Sequence, residues 1–198
     1  MILSDAEILR ALEDEVIAIE PRPTQERYNA SAVDLTLGTE LFRLREPAEL
    51  VAEEPAGVEH SIEIDLSTLR IRDFLNKYAR LVPLEPGGYW VLKPKQFALG
   101  VTHERIELPR KCKIAARVEG RSTLARLGLV IHMTAPTVHC GFEGHIILEM
   151  HNFGPYPLRV RPGFEICQLI LERLGREPRA GLTTAFMHQS SVVAKPSH

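Results

Sequence analysis

A cluster of hydrogen-bond donors stands near the middle of the chain, between Gly120 and Gly128. Its members are two arginines and two hydroxyl residues: Arg121, Ser122, Thr123 and Arg126. Arginine offers a planar pair of N–H donors, hydroxyls offer short donors, and glycine lets the backbone approach closely, so the composition suits a polyphosphate ligand. Because Arg126 follows Ser122 by four residues, one helical turn would place both side chains on one face. A capped surface turn with solvated arginines fits the same spacing equally well.

A carboxylate lies inside an apolar run further along the chain. Glu149 has Ile147, Leu148 and Met150 as close neighbours, and residues 145–152 are predicted to form a strand. In a strand, such a carboxylate either faces solvent by alternation or is buried and paired. Burial raises the pKa of a carboxyl group and a nearby arginine lowers it, so a binding site can tune Glu149 as a proton shuttle.

The composition restricts the class of protein. A length of 198 residues suits one domain with a full core, and a net charge of −2 gives no basic field for nucleic acid. The three cysteines, Cys112, Cys140 and Cys167, are odd in number and widely spaced, which favours a reducing cytoplasm over a disulfide framework. No apolar run reaches membrane-spanning length and no signal-peptide pattern opens the chain, so we expect a soluble cytoplasmic protein without a membrane partner.

The elements that must position these side chains are mostly short strands. A capping box, Ser4 with Glu7, predicts a helix over residues 5–13, and residues 68–78 suit a second short helix. Strands are predicted at residues 31–37, 40–45, 61–65, 89–92, 97–102, 112–118, 129–134, 145–152, 158–161 and 165–171, with residues 46–57 as a loop. Many short strands with Gly and Pro turns predict a mostly β fold, a distorted barrel or jelly roll. Residues 1–174 form one domain in this interpretation, and residues 175–198 form a polar tail.

Six motifs in this sequence resemble the dCTP deaminase family of the trimeric dUTPase-like superfamily. They are Arg121-Ser-Thr-Leu-Ala-Arg-Leu-Gly-Leu129, His132-Met-Thr-Ala135, Gly141-Phe-Glu-Gly144, Leu148-Glu149, Ile19-Glu-Pro-Arg-Pro23 and Asn29-Ala-Ser-Ala-Val-Asp-Leu-Thr-Leu-Gly38. The resemblance extends over about residues 1–172 and implies a dUTPase-like β-barrel. It also implies deamination of dCTP to dUTP and ammonia, which supplies dUTP for thymidylate synthesis. Zinc-dependent cytidine deaminases carry a His/Cys-x-Glu element and a Pro-Cys-x-x-Cys pair, and this sequence contains neither, so zinc-independent chemistry is expected.

The resemblance also implies roles for individual residues. Glu149 would move the proton of the attacking water, while Ser122 and Arg126 would orient that water and stabilise developing charge. The remaining implied contacts are to the nucleotide: Arg121 and Thr123 to phosphates, the backbone of Thr134 and Ala135 to the base, His132 beside the nucleotide, and Phe186, His188 and Gln189 from a tail that closes over it. Mg²⁺ would bind through the oxygens of the triphosphate. The implied assembly is a homotrimer, with Glu149 from one subunit and the 121–126 segment from its neighbour.

His139 is the main departure from the family pattern, which has an aspartate there to contact the deoxyribose 3′-hydroxyl. A histidine can still hydrogen-bond a sugar hydroxyl, but it offers no anionic acceptor. The tail also lacks the expected lysine. Both departures bear on the substrate, and they leave two alternatives open. One is a dUTP pyrophosphatase of the same superfamily, and the other is a nucleotide-binding protein without catalysis.

Two further interpretations concern the histidines. The apolar flank of His132 is also typical of a satisfied core histidine. His139, Cys140, His145 and His151 are metal-ligand residue types, but their spacing fits no recognised metal-site pattern, so ordinary surface or interface histidines are expected and no metal site is predicted.

Overall fold

The structure is a computed structural model that describes residues 1–51, 63–179 and 189–193. The α-helices are α1 (Asp5–Glu13), α2 (Pro47–Val51), α3 (Ile71–Tyr78) and α4 (Ser122–Ala125), and short 3-10 helices lie at Gln25–Arg27 and Arg110–Cys112. The strands are β1 (Ala18–Glu20), β2 (Tyr28–Asn29), β3 (Ala32–Leu44), β4 (Ala79–Leu81), β5 (Trp90–Leu92), β6 (Phe97–Glu107), β7 (Ile114–Gly120), β8 (Leu129–Val130), β9 (Thr137–Val138), β10 (Glu143–Asn152), β11 (Leu158–Val160) and β12 (Glu165–Arg173). The predicted mostly β class with a short amino-terminal helix is confirmed.

One large antiparallel sheet contains ten of these strands, and its central order is β8-β10-β6-β3-β12-β7-β9. Strand β1 adds to β6, whereas β2 and β4 add to β3. Strands β5 and β11 pair separately as a two-stranded sheet. The order interleaves strands that are distant along the chain, so β10 and β6 lie side by side near one end of the sheet.

The sheet has an apolar layer on each face. Leu148 and Met150 of β10 belong to the main core, whereas Ile147 packs against a second cluster with Leu99 and Leu75. Residues alternate between half-buried and buried along the whole of β10. Because successive side chains of a strand point to opposite faces, this alternation places Glu149 on the face of Ile147, towards the second cluster.

The amino-terminal helix follows its sequence signal closely. The Glu7 backbone N–H donates to the Ser4 hydroxyl at 3.3 Å, and the Ser4 N–H donates to the Glu7 carboxylate at 2.9 Å, so the predicted capping box is present. Ile8, Ala11 and Leu12 are the buried residues of α1. The helix therefore begins where the cap satisfies its free N–H groups and is held by one apolar face.

Several predicted boundaries are wrong, each for a tertiary reason. The strands predicted at 31–37 and 40–45 are one strand, β3, because Gly38 marks a close approach to β6 instead of a turn. A Cβ on Gly38 would lie 2.8 Å from the carbonyl oxygen of Val101, and the register with β6 shifts between Leu37 and Leu41. Of the strand predicted at 129–134, only Leu129 and Val130 pair with β10, and the chain then leaves the sheet.

The middle of the chain also differs from the prediction. The segment predicted as a loop at 46–57 begins with α2, and its remainder, from residue 52, lies outside the described residues. Residues 63–65 of the predicted edge strand are not in a strand. The second predicted helix is confirmed as α3. Among the described residues, no helix is long and apolar enough to cross a membrane.

Candidate active site

A cavity of about 480 Å³ lies on the second apolar face, between α3 and the strands β6 and β10. Five of the predicted site residues line it: His132, Ala135, His139, Glu149 and Gln189. They come from three separate parts of the chain, and the sheet order brings them together. Apolar side chains form most of the remaining wall, among them Ile71, Phe74, Leu75, Phe97, Leu99 and Ile147. The cavity is therefore an apolar space with a few polar groups, as small-molecule sites generally are.

Glu149 is the acid group of this wall. Its backbone pairs with that of Leu99 on the neighbouring strand β6, and its side chain lies on the same face of the sheet as Ile147. Burial raises the pKa of the Glu149 carboxyl group, while a hydrogen bond from the backbone N–H of Met133 and the imidazole of His132 act in the opposite direction. A half-buried carboxylate whose pKa is raised by an apolar wall binds a proton more readily than an exposed one, which suits it to accept and release a proton in a reaction.

His132 lies beside Glu149 and outside the core. The ring Nε2 is 3.6 Å from the Oε2 atom of Glu119, and the His132 side chain is 23% exposed. His132 also lines the cavity. Its position in the folded chain is therefore that of a partly exposed cavity residue in contact with a carboxylate.

The donor cluster forms the predicted helical turn. The N–H of Arg126 donates to the carbonyl oxygen of Ser122 at 3.2 Å, and Arg121 precedes α4 in an extended conformation. None of the four predicted residues Arg121, Ser122, Thr123 and Arg126 lines the cavity that contains Glu149. Within one chain, the carboxylate and the donor cluster are therefore parts of two different surfaces.

Arg121 is engaged in ion pairs within its own chain. Its guanidinium contacts the Glu165 carboxylate and lies 3.5 Å from the Oδ2 atom of Asp34. Arg27 adjoins this pair, 4.0 Å from Glu165 and 3.1 Å from the fully buried Glu104. The network ties the start of α4 to β3, β6 and β12. A phosphate contact by Arg121 stays a prediction.

His139 and Thr134 are exposed residues at the rim. Thr134 lies in the turn after β8 and is not part of the cavity wall, whereas the next residue, Ala135, is. His139 lines both the cavity and a larger groove of about 680 Å³, which it shares with Arg117, Cys140 and Glu172 but with no other predicted site residue. The chemistry therefore concentrates in the smaller cavity, and His139 stands at its mouth.

The remaining histidines have other neighbours. The His145 Nδ1 atom lies 3.0 Å from the carbonyl oxygen of Thr102, and the His151 ring stacks against Phe153 with 3.9 Å between centroids. Throughout the described ranges, no three His, Cys, Asp or Glu side chains are grouped so that they could hold a metal ion.

The tail returns to the cavity in the segment 189–193. The N–H of His145 donates to the carbonyl oxygen of Gln189 at 3.0 Å, and the Gln189 amide donates to the carbonyl oxygen of His145 at 2.8 Å. Val192 is buried in the second apolar cluster. Gln189 is thus held at the cavity edge by paired backbone and side-chain hydrogen bonds. Phe186 and His188, which the resemblance also assigned to the tail, lie outside the described residues.

Sequence reasoning missed three contributions to this site: the carboxylate of Glu119, the backbone N–H of Met133 and the apolar wall from α3. Glu119 directly precedes the donor cluster, but nothing in the local pattern indicates that its partner is His132. The α3 residues carry only a helical periodicity, which does not reveal the surface against which a helix packs.

Comparisons with known proteins show what this chain is similar to. A family model described as dCTP deaminase-like matches residues 2–174. A dCTP deaminase of Rhodospirillum rubrum is 39% identical over 178 residues, which are 88% of this chain and 83% of that protein. A "dCTP deaminase, dUMP-forming" of Methanothermobacter thermautotrophicus is 35% identical over 176 residues, which are 87% of this chain and 79% of that protein.

A solved structure shows the same fold. The crystal structure of the 2′-deoxycytidine 5′-triphosphate deaminase of Agrobacterium tumefaciens superposes with a TM-score of 0.63 at 22% identity. The match covers 88% of this chain and 48% of that chain, so the present chain spans about half of the longer protein. At this identity the likeness concerns the arrangement of the strands.

Proposed function

Since the chain belongs to the dCTP deaminase-like family, we propose that it hydrolyses the 4-amino group of dCTP and releases dUTP and ammonia. The observation that carries this proposal is Glu149, a half-buried carboxylate with a raised pKa on the wall of an apolar cavity. A cavity of about 480 Å³ has room for a nucleobase and its sugar. The dUTP pyrophosphatase alternative is not favoured by the relatives, which are dCTP deaminases.

The chemistry follows from the position of Glu149. Its carboxylate accepts a proton from a water molecule that adds to C4 of the cytosine ring, and it passes that proton on towards N3. The carboxylate next takes the proton of the new C4 hydroxyl and passes it to the amino group, so the C4–N bond breaks, ammonia departs and a C4 carbonyl remains. The apolar wall excludes bulk water, which strengthens the interaction of each remaining polar group with the charge that develops on the ring. His132 and the Met133 N–H keep the carboxylate in place.

Ser122 and Arg126 complete the site in this proposal as donors to the attacking water, from a neighbouring subunit of a homotrimer. The support is that α4 and the Glu149 cavity are separate surfaces of one chain. If both take part in one reaction, a second copy must bring its α4 to the cavity. Arg121 and Thr123 would then hold the triphosphate, with Thr134, Ala135, His139 and Gln189 on the base and sugar.

Mg²⁺ enters this proposal as part of the substrate, bound to the triphosphate oxygens. The cytoplasm is the proposed compartment, because Cys112, Cys140 and Cys167 are all free thiols and nucleotide triphosphates are made and used there.

A single incubation tests the proposed function. The purified protein is mixed with Mg²⁺ and either dCTP or dUTP, and the products are resolved by anion-exchange chromatography, with Glu149→Gln as the control. We expect dCTP to disappear with release of an equal amount of ammonia, in the wild type alone. Conversion of dUTP to dUMP without ammonia would identify a pyrophosphatase, and binding without products would identify a non-catalytic protein. Formation of dUMP from dCTP would place the chain with its dUMP-forming relative.

A further inference from the structure

Glu119 is a carboxylate outside the cavity that reaches a residue on its wall. It lies near the end of β7, opposite Gln168 of β12, and does not line the cavity. Its Oε2 atom is 3.6 Å from the Nε2 atom of His132, a distance at which an anion and a protonated imidazole attract each other. Glu119 of β7 therefore restrains the orientation of the His132 ring.

His132 and its neighbour Met133 in turn act on Glu149. Burial raises the pKa of the Glu149 carboxyl group, and it is the Met133 N–H and then the His132 imidazole that offset this effect. Because Met133 directly follows His132, an ion pair that fixes the His132 ring also restrains the peptide that supplies this N–H. A continuous path thus joins Glu119 to the proposed proton carrier.

We propose that Glu119 is a positioning residue for the reaction, which it serves by holding the His132 ring and, through the adjoining peptide, the Met133 N–H that donates to the Glu149 carboxylate. This inference rests on the proposed deamination. His132 shares the cavity wall with Glu149 and His139, and in the described part of the chain its ion-pair contact is Glu119, which also lies 3.8 Å from the Arg117 Nε atom. Glu119 itself does not line the cavity.

The surrounding ion pairs provide a matched control. The Arg117 Nε atom lies 3.8 Å from Glu119 Oε1 and 3.3 Å from Glu172 Oε1. Glu172 is thus a second carboxylate on the same arginine, with similar exposure, but it has no contact with His132. Glu172→Gln removes the same charge from the same group of side chains and leaves the imidazole contact intact, so it separates the proposed role from a general loss of an ion pair.

The kinetic test uses Glu119→Gln, Glu119→Asp and Glu172→Gln with Mg²⁺ and dCTP over a range of pH. In Glu119→Gln we expect the acid limb of the pH profile of kcat to move to higher pH by about half to one unit, with KM within about twofold. Glu119→Asp should restore part of the shift, because it restores a carboxylate beside the His132 ring. Glu172→Gln should keep the wild-type profile. An unchanged profile in Glu119→Gln, or an equal shift in Glu172→Gln, would overturn the proposal.

A second measurement does not depend on deaminase activity. The carboxyl carbon of Glu149 is titrated by NMR in the nucleotide-free protein, and Glu149→Gln identifies its resonance. We expect the midpoint to rise in Glu119→Gln and to stay in place in Glu172→Gln. If the wild type does not deaminate dCTP, the proposed function fails while this titration still decides the role of Glu119. Identical midpoints in wild type and Glu119→Gln would refute that role even in an active enzyme.

Discussion

The carboxylate of Glu149 is under opposing influences: an apolar wall that favours its protonated form, and a backbone N–H with an imidazole that favour its ionised form. Burial by the wall has the largest effect, so the pKa of the Glu149 carboxyl group lies above the ordinary value of 4.5. A base must be ionised to accept a proton. Activity should therefore fall as the pH drops through this raised pKa, so the acid limb of kcat should lie above pH 4.5.

Replacement of Glu149 by glutamine tests its role directly. Glu149→Gln keeps the shape of the side chain but cannot carry the proton, so we expect deamination to be abolished while dCTP binding stays within about tenfold. Turnover is measured by ammonia release, and binding by isothermal titration of dCTP. Substantial turnover in the variant would remove Glu149 from the mechanism.

His139 places an exposed imidazole at the cavity mouth, where the family pattern has the anionic carboxylate of an aspartate. A charge-assisted hydrogen bond to a sugar hydroxyl contributes about 1.5–3 kcal/mol. We therefore expect His139→Asp to tighten dCTP binding by about ten- to a hundredfold, measured by titration calorimetry. His103→Asp, an exposed histidine away from this cavity, is the control for the added charge. Equal affinities for His139→Asp and wild type would place His139 outside the sugar pocket.

Two loops meet backbone to backbone at the end of α4. Gly128 adopts a positive φ of 86°, and a Cβ there would lie 2.3 Å from the Gly154 nitrogen. A Cβ on Gly154 would lie 2.0 Å from the carbonyl oxygen of Leu127, and the Phe153 N–H donates to Gly128 at 2.8 Å. The contact joins the turn after α4 to the loop after β10. The donor cluster lies at α4, and Glu149 lies on β10.

We expect Gly154→Ala to lower the free energy of unfolding by about 3 kcal/mol, because the added methyl group collides with backbone atoms that cannot rotate away. The control is Gly120→Ala, where no atom lies within 4 Å of the added Cβ, and a change within about 1 kcal/mol is expected. Urea denaturation at one protein concentration measures both. Equal stability of the two variants would show that the loops separate at little cost.

At the scale of the whole molecule, the proposed site requires two copies of the chain. Glu149→Gln and Arg126→Ala should each be inactive alone, since each lacks one half of the site. When the two are unfolded together and refolded as mixed trimers, about a quarter of the sites should combine a wild-type Glu149 with a wild-type Arg126 from the neighbour. We expect activity to return to roughly that fraction.

Light scattering measures the mass of the refolded mixture, and ammonia release measures its activity. Separately refolded variants that are mixed without unfolding serve as the control. Failure to recover activity in a trimeric mixture would place both residues in one subunit. A monomeric mass in an active wild type would rule out the shared site altogether.

The sequence by itself determined the local geometry. The Ser4–Glu7 capping box, the helical spacing from Ser122 to Arg126 and the apolar run within residues 145–152 all predicted elements that the structure confirms. These patterns succeed because each depends on the backbone within a few residues. The candidate site residues were named largely through a family resemblance, and their roles stay predictions.

Only the tertiary structure decided which of these elements meet. Gly38 marks a close approach to Val101, and not a turn, because β6 comes to lie against β3. Arg121 lies against Glu165, 44 residues away, and Gln189 against His145, also 44 residues away. The same holds for the Glu119–His132 contact and for the apolar wall that raises the pKa of Glu149. Such pairings depend on the order of strands in the sheet, and no local periodicity encodes that order, because it is set by the burial of both sheet faces at once.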